Sequence, residues 1–289
     1  MTQFISRLIS LLTAFMTLFL PLFGLQAKDG EEVDMSKFTL AYSEEFDGDE
    51  IDWDTWEGHY CYGNTSAVRR GGYWNRQMAS LKDGNLVITT KYMPEGVNGG
   101  PAGYYSYALD TNNGGFEQTY GYFETRCILP PGEGLWGAFW LLSDGMFTVN
   151  GDGKDGAEID IFESPNYASS DFWKRNCVSS AVHYDGYDEA HRSTSLGKFY
   201  VGEDAYTAYH TYGLEWNQEG YTFYIDGKKT GSTNFGGASQ VPQYLILSTE
   251  VGGTDGVPGD SWAGDITNNG TEFSSEFIID YVRVYQYTE

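Results

Sequence analysis

Short apolar runs, separated by clusters of Gly, Asn and Asp, recur along the chain after an apolar N-terminal segment. Runs of this length that are rich in β-branched and aromatic residues are typical of β-strands. They predict strands at 38–43, 85–92, 104–109, 121–128, 137–142, 159–163, 178–184, 209–216, 221–225, 243–250 and 276–286. No stretch shows the apolar stripe of a three-turn helix, and Asp226-Gly227 predicts a tight hairpin. Many short strands at regular spacing predict an all-β sandwich or jelly roll.

One predicted strand carries three acids inside an apolar run, at 158–163. Side chains alternate between the faces of a strand, so Glu158 and Asp160 share one face. Plain alternation would turn Glu163 to the core, because it lies five positions after Glu158. A β-bulge near Ile161, which adds one residue to the strand, returns Glu163 to the acidic face. We therefore predict a bulge and a row of three carboxylates.

Such a row suits the hydrolysis of a glycosidic bond. A retaining glycosidase uses a nucleophilic carboxylate and an acid/base carboxyl roughly 5 Å apart, and Glu158 and Glu163 are the pair that spans a sugar. A solvated strand face stays open as another interpretation, whereas a calcium loop is not supported. The segment 150–161 fails the EF-hand pattern, because Asp155 stands where that pattern needs glycine and Ile161 where it needs its last Glu.

Around the acids the sequence resembles glycoside hydrolase family 16. The resemblance runs from about residue 38 to the C-terminus, in segments 120–126, 134–142, 158–163, 210–216, 222–227 and 280–286. The Glu-x-Asp-x-x-Glu spacing resembles the bulged branch of that family, which holds laminarinases and marine galactanases. The resemblance implies a β-jelly-roll sandwich of two antiparallel sheets with a concave substrate cleft. It also implies a secreted, endo-acting, retaining enzyme in which Glu158 is the nucleophile, Glu163 the acid/base, and Asp160 hydrogen-bonds Glu158.

The resemblance is less specific about the substrate. Segment 134–142 looks most like laminarinases, which implies a β-1,3- or mixed β-1,3/1,4-linked glucan. However, Glu250 stands in Leu-Ser-Thr-Glu-Val-Gly-Gly, where laminarinases usually carry Asn-x-Ala-Val-Gly-Gly. The alternative is an endo-β-galactosidase acting on agar- or porphyran-type galactans or on mucin-type glycans, with Arg69, Arg70 and Arg76 meeting sulfate. A non-catalytic carbohydrate-binding sandwich is a third interpretation.

Aromatic residues make up 17% of the chain, and flat rings stack on sugar faces. Alternation places two tryptophans on one face of the strand before the acids, and the resemblance places further residues in or near the cleft. Trp140 could equally be a core residue, and His183 could equally have a structural role. The expected substrate-binding residues are Trp74, Asn75, Arg76, Trp136, Trp140 and His183.

A structural calcium site on the convex side is also implied by the resemblance. It would use Glu45, the backbone carbonyl of Gly84 and Asp280, and hard oxygen ligands suit Ca²⁺. Ordinary surface acids are the alternative interpretation. No cofactor is expected for catalysis.

The N-terminal segment predicts export. Residues 1–27 resemble a secretory signal, with Arg7 as the only charge and a cut after Ala27; a membrane anchor is the alternative. Residues 28–36 form an acidic linker that we expect to be poorly ordered, and residues 37–289 the catalytic domain. The protein is expected to be secreted, extracellular or periplasmic.

Charge and cysteine content restrict the partners. The chain has 17 basic and 41 acidic residues, a net charge of −24. Removal of the leader would also remove Arg7 and make the net charge more negative. This acidity argues against nucleic acid and favours a neutral polysaccharide partner, with the protein as a monomer. Of Cys61, Cys127 and Cys177 at most two can pair, and no Cys-x-x-Cys occurs for structural zinc.

Overall fold

The computed structural model describes residues 19–57, 66–112, 115–167, 172–270 and 272–288. Within these residues α1 (Trp53–Trp56) is the one α-helix, and the remaining regular structure is strand and short 3-10 turns. The strands are β1 (Leu25–Gln26), β2 (Phe38–Glu44), β3 (Ala67–Arg69), β4 (Gly72–Trp74), β5 (Ala79–Lys82), β6 (Asn85–Met93), β7 (Gly103–Ser106), β8 (Ala108–Asp110), β9 (Glu117–Gln118), β10 (Gly121–Ile128), β11 (Leu135–Leu142), β12 (Glu158–Glu163), β13 (Cys177–Tyr184), β14 (Arg192–Tyr200), β15 (His210–Asn217), β16 (Gly220–Ile225), β17 (Lys228–Thr233), β18 (Gln243–Val251), β19 (Gly253–Thr254), β20 (Val257–Pro258) and β21 (Ser274–Tyr287). The 3-10 helices are Leu20–Phe23, Met35–Lys37, Arg76–Met78, Asp144–Phe147, Phe172–Lys174 and Ile266–Asn269.

Two large sheets contain almost all of these strands. One has the order β1-β14-β13-β12-β11-β18-β8, with β9 also on β18. The other has the order β17-β16-β15-β10-β21-β6-β7-β4-β3, with β2 on β21 and β5 on β6. The predicted all-β sandwich is confirmed. Two pairs depart from the predicted antiparallel arrangement, because β1 runs parallel to β14 and β4 parallel to β7.

The core lies between the two sheets, and Phe162 shows how they meet. Its ring centroid lies 4.2 Å from that of Tyr212 on β15 and 6.2 Å from that of Phe277 on β21, so β12 packs across onto the other sheet. All three side chains are fully buried. Burying a residue of this size stabilises the fold by about 1.5–3 kcal/mol. These contacts hold the inner face of β12 in place, which fixes where its outer face points.

The predicted bulge in β12 is confirmed. Against β11, Phe139 is paired with Phe162 and Trp140 with Asp160, so Ile161 is the additional residue. The pairing of β12 with β13 shifts over the same interval. Ile159, Ile161 and Phe162 are all buried, which leaves the outer face to the acids.

The hydrophobic pattern missed some strands. Strand β17 lies at a sheet edge, and β14 is bordered on its outer side only by the two-residue β1. Both carry few apolar residues, as their sequences Arg-Ser-Thr-Ser-Leu-Gly-Lys-Phe-Tyr and Lys-Lys-Thr-Gly-Ser-Thr show. Edge strands have one free side, so cross-strand hydrogen bonds define them more than alternation does. Strands β3, β4 and β5 were missed because each is four residues or shorter.

The N-terminal segment is ordered where we expected a flexible linker. Val33 donates its backbone N–H to Gly227 O at 2.9 Å, and Lys228 pairs with Glu32 at 2.8 Å. Strand β1, inside the predicted leader, adds to the sheet edge at β14. The linker is therefore a packed segment, because its Glu32 pairs with Lys228 and its Lys28 with Asp226 of the β16–β17 hairpin. Whether residues 1–27 are removed stays a prediction, and residues 1–18 lie outside the described part.

The described residues contain no helix long and apolar enough to span a membrane. Cys127 and Cys177 are buried free thiols, and burial raises the pKa of each. Cys61 lies outside the described residues.

Candidate active site

A cleft of about 230 Å³ lies on the outer face of the eight-stranded sheet. Its floor comes from three neighbouring strands, β18, β11 and β12, and its walls from the β3–β4 turn and the loop after β13. The lining residues are Arg69, Arg70, Trp136, Ala138, Trp140, Glu158, Asp160, Glu163, Tyr187, Ser248 and Glu250.

Strand pairing brings the three predicted carboxylates into this cleft. Asp160 is paired with Trp140 on β11, and beyond the bulge Glu163 is paired with Ala138. Because Ala138 and Trp140 lie two apart on β11, their partners point to the same side. The small Ala138 side chain leaves space beside Glu163. The structure thus confirms that Glu158, Asp160 and Glu163 line one cleft.

Burial and mutual repulsion raise the pKa of all three carboxyls. Burial and then the charge of Asp160 raise the pKa of Glu158 to about 7. Burial and the charge of Glu250 raise that of Asp160 to about 7. The pKa of Glu163 is raised well above its ordinary value, by burial and by the charges of Asp160, Glu250 and Glu158. Glu163 therefore favours its protonated form near neutral pH.

Hydrogen bonds distinguish the carboxyls in the same way. Tyr187 donates its hydroxyl hydrogen to Glu158 Oε2, and His183 Nε2 lies 3.1 Å from Asp160 Oδ2. In the described part of the chain, no side chain donates a hydrogen bond to Glu163. A donor stabilises the ionised carboxylate, so Glu158 ionises more readily than Glu163. The predicted bond between Asp160 and Glu158 stays a prediction; a carboxylate oxygen of each lies within 4.8 Å of the other, and Asp160 also contacts His183.

A fourth carboxylate and two arginines form the opposite wall. Glu250 is 4% exposed and receives Arg69 Nε at 3.0 Å on Oε1 and Arg70 Nε on Oε2. Strand pairing places Glu250 beside Trp136, and the Arg70 guanidinium lies over the Trp136 ring at 5.3 Å. Glu250, at which the sequence departs from the laminarinase pattern, therefore forms an ion-pair cluster with Arg69 and Arg70 in the cleft.

The structure divides the predicted substrate-binding residues. Trp136 and Trp140 line the cleft, and Trp140 Nε1 donates to Ser248 Oγ at 3.1 Å. Both rings are nearly buried, and Arg70 covers one face of Trp136. His183 contacts Asp160 and so belongs to the site.

The prediction that the loop residues Trp74 and Asn75 bind substrate is corrected, because both are buried. Trp74 is 1% exposed and donates Nε1–H to Thr249 O at 3.0 Å, so it is a core residue. Asn75 is fully buried, and its Oδ1 caps a 3-10 turn. Arg76 pairs with Glu57 at 2.7 Å, outside the cleft lining. Substrate binding by Arg76 stays a prediction, and the arginines at 69 and 70 reach the cleft.

Sequence reasoning missed two residues that contact the site, Tyr187 and His191. Both lie in the turn between β13 and β14, where no apolar pattern or motif marks them. Their only sequence signal is chain proximity to His183, four and eight positions away.

The predicted calcium ligands meet arginines instead of one another. Arg283 donates to both carboxylate oxygens of Glu45 at 2.8 Å, and Arg126 pairs with Asp280. These pairs compensate both carboxylates, so in this arrangement the donor set does not fit Ca²⁺, which would have to displace two guanidiniums. Elsewhere in the described chain, Glu158, Asp160 and His183 hold ligand atoms within 4.8 Å of one another, but these belong to the cleft just described.

Comparison with known proteins agrees with this geometry. The family model described as "Beta-porphyranase A-D, GH16 domain" matches residues 37–287. The chain is 31% identical over 207 residues to the endo-1,3-1,4-beta-glycanase ExsH of Rhizobium meliloti, covering 71% of this chain and 39% of that protein. It thus spans about two fifths of that relative's length. It is 28% identical over 270 residues to a beta-glucanase of Rhodothermus marinus, covering 86% of each.

A solved structure with the same fold is the laminarinase catalytic domain of Thermotoga maritima. It superposes with a TM-score of 0.67 at 25% identity, covering 88% of this chain and 100% of that domain.

Proposed function

Because the chain belongs to glycoside hydrolase family 16, we propose that it is an endo-acting, retaining β-glycanase that hydrolyses internal bonds of a β-1,3- or mixed β-1,3/1,4-linked glucan. The observation that carries the proposal is the bulged strand β12. It brings Glu158 and Glu163 to one cleft and gives them unequal affinities for a proton. Retaining hydrolysis needs one ionised and one protonated carboxyl on the two sides of the scissile bond.

The first step forms a covalent intermediate. The Glu158 carboxylate attacks the anomeric carbon, and the bond from that carbon to the leaving oxygen breaks. Glu163 gives its proton to the leaving oxygen, so the departing chain leaves as a neutral alcohol. Burial keeps Glu163 protonated before the step, and it ends the step as a carboxylate.

The second step returns both carboxyls to their starting states. The Glu163 carboxylate takes a proton from water while the water oxygen attacks the anomeric carbon. The bond from that carbon to Glu158 breaks, so Glu158 is released as a carboxylate and the product keeps its β configuration. Asp160 lies between the two glutamates, and its charge helps to keep the Glu163 proton in place.

A β-glucan is supported by the relatives. By their names, the Rhodothermus relative is a beta-glucanase and the Rhizobium relative an endo-1,3-1,4-beta-glycanase. The cleft also offers the apolar edges of Trp136 and Trp140 beside the acids. Endo action is supported by the cleft's position on an open sheet face, since internal chain segments can enter it from the side.

A second candidate substrate is a galactan with acidic substituents. Arg70 is 53% exposed and lies over Trp136 at the cleft wall, where a guanidinium can meet a sulfate. The description of the matching family model names beta-porphyranases. The ion pair with Glu250 counts against this candidate, because it already compensates part of the positive charge.

A reducing-sugar assay distinguishes the candidates. The panel is laminarin, barley mixed-linkage glucan, lichenan, agarose, porphyran and mucin glycans, with Glu158→Gln as the blank. Release from the glucans with early formation of the β anomer, followed by NMR, supports the first proposal. Release from galactans or mucin alone supports the second. No release from any polymer, with binding retained, contradicts an enzyme and favours a carbohydrate-binding sandwich.

We also propose that the protein is exported and that residues 1–27 act as the signal. The apolar run with Arg7 as its only charge supports this. N-terminal sequencing of protein from the culture medium or periplasm tests it, and a start at Lys28 is expected. Full-length protein retained in the cytoplasm would contradict it.

A further inference from the structure

The loop at residues 185–191, between β13 and β14, reaches two of the cleft carboxylates through two side chains. Tyr187 donates to Glu158 Oε2, and His191 Nε2 lies 2.9 Å from His183 Nδ1, whose other ring nitrogen faces Asp160. We propose that Tyr187 and His191 are positioning residues: Tyr187 holds the attacking carboxylate of Glu158, and His191 fixes the orientation and tautomer of His183. The inference rests on the proposed retaining mechanism.

The tautomers follow from the order of donors and acceptors. An ionised Asp160 only accepts, so His183 donates from Nε2. A ring with one hydrogen accepts at its other nitrogen, so His191 donates from Nε2 to His183 Nδ1. The two rings are almost coplanar, at 4°, with centroids 5.1 Å apart, which is the edge-to-edge geometry of an N–H···N bond. Burial and the neighbouring His183 lower the pKa of His191, which favours the neutral ring.

The loop is held at its base by contacts that do not involve the catalytic groups. Asp185 accepts hydrogen bonds from the backbone N–H groups of Asn150 and Gly151 at 3.0 Å each. Gly186 donates to Met146 O at 2.7 Å and has φ of 74°, a conformation that favours glycine. The Tyr187 ring packs edge-on against Phe147 at 5.7 Å. The loop therefore presents its side chains from a fixed base.

Because the Tyr187 side chain is half exposed, its packing against Phe147 does not by itself account for its position. It is 52% exposed, yet its hydroxyl is aimed at a carboxylate in the cleft. The hydrogen bond lowers the pKa of Glu158 against the raising effects of burial, Asp160 and Glu250. Loss of the hydroxyl therefore leaves Glu158 protonated to a higher pH and free to rotate.

Kinetics of four loop variants test the inference. Hydrogen bonds to charged groups of this kind change rates by about 10- to 100-fold, so we expect Tyr187→Phe to lower kcat by about that factor with KM within about twofold. The acidic limb of its kcat/KM profile moves to higher pH. His191→Ala lowers kcat, and His191→Gln, whose amide places an N–H near the same point, restores most of it. The exposed loop residue Glu189 provides the matched control, and Glu189→Gln behaves as wild type.

Several outcomes would overturn the inference while leaving the proposed function intact. One is a wild-type kcat and pH profile in Tyr187→Phe. Another is a raised KM with unchanged kcat, which would make Tyr187 a substrate contact. Nitrogen NMR of the histidine rings gives a readout without substrate: each of His183 and His191 carries its hydrogen on Nε2, and His183 loses that preference in His191→Ala. A wild-type enzyme inactive on all polymers overturns the proposed function separately.

Discussion

Replacing Glu250 by Gln tests whether the arginine wall, which consists of Arg69 and Arg70 paired with Glu250, sets the electrostatics of the cleft. The substitution keeps the shape of the side chain and removes its charge. Arg69 and Arg70 then lose their shared partner, while the acids across the cleft lose a repelling neighbour. The two effects act on different observables, stability and pH dependence.

The stability effect follows from the burial of the three partners. Removing one partner of a fully buried ion pair costs about 3–5 kcal/mol, whereas an exposed pair contributes about 0–1 kcal/mol. The Glu250 side chain is 5% exposed, but Arg69 and Arg70 are 31% and 53% exposed, so solvent screens much of the loss. We expect about 1–2 kcal/mol, or a Tm lower by about 2–8 °C.

The pH effect has a definite sign. The Glu250 charge raises the pKa of Glu158, Asp160 and Glu163, so its removal lowers the pKa of each. Activity requires ionised Glu158 and protonated Glu163, so both limbs of the kcat/KM profile move to lower pH. A profile that stays in place, or moves to higher pH, would refute the electrostatic role.

The assay is a pH–rate profile on the preferred polymer beside thermal unfolding of the same samples. Glu276→Gln is the matched control, because Glu276 lies 3.9 Å from Lys82 on the other sheet with both side chains exposed. This substitution should leave the pH–rate profile in place and change the free energy of unfolding by no more than about 0.5 kcal/mol. A control that behaves like Glu250→Gln would show that net charge, not the cleft cluster, causes the effect.

Three further predictions concern the acid/base residue, the hairpin and calcium. Glu163→Ala should lose hydrolysis of the polymer but, with an activated aryl glycoside, regain turnover in azide and yield the β-glycosyl azide; an α product, seen by NMR, would contradict retention. Although burial raises the pKa of Asp226, hydrogen bonds from His210 and Lys28 lower it to about 2, so the stability it gives is present above its ordinary value near 3.8 and lost as pH falls through 2. Asp226→Asn should therefore lower Tm at pH 7 and flatten its fall between pH 4 and 2, and equal curves would contradict the pairing. Because Glu45 and Asp280 are already paired with arginines, the wild type should have equal Tm values in CaCl₂ and in EDTA, and a Tm that CaCl₂ raises in the wild type but not in Asp280→Asn would contradict this.

The acidic strand shows what the sequence could predict. Glu158, Asp160 and Glu163 lie within six residues, so their relative directions depend on local alternation and one inserted residue. Covalent geometry fixes alternation, and a misfit of one residue implies a bulge. The prediction held because it needed no knowledge of distant contacts.

Predicting the positions of Tyr187, His191 and the arginine wall would have required knowledge of contacts between distant parts of the chain. Glu250 meets Arg69 and Arg70 across some 180 positions of chain, through the pairing of β18 with β11 and the placement of the β3–β4 turn. No local pattern specifies such a meeting. Resemblance did not supply it either, because at Glu250 and at Trp74 this chain departs from the family pattern used as the guide.

Four carboxylates within one cleft repel one another and cost stability, so their partners indicate what each does. Glu250 has two guanidiniums, Asp160 an imidazole and Glu158 a phenol, whereas no side chain in the described part donates to Glu163. A buried carboxyl without a donor lowers its free energy by keeping its proton. The uneven distribution of partners thus supports the proposed roles of Glu163 as proton donor and Glu158 as nucleophile, with an argument from contacts rather than from position in the motif. Adding a donor beside Glu163 should accordingly weaken the enzyme even though it would satisfy a buried polar group.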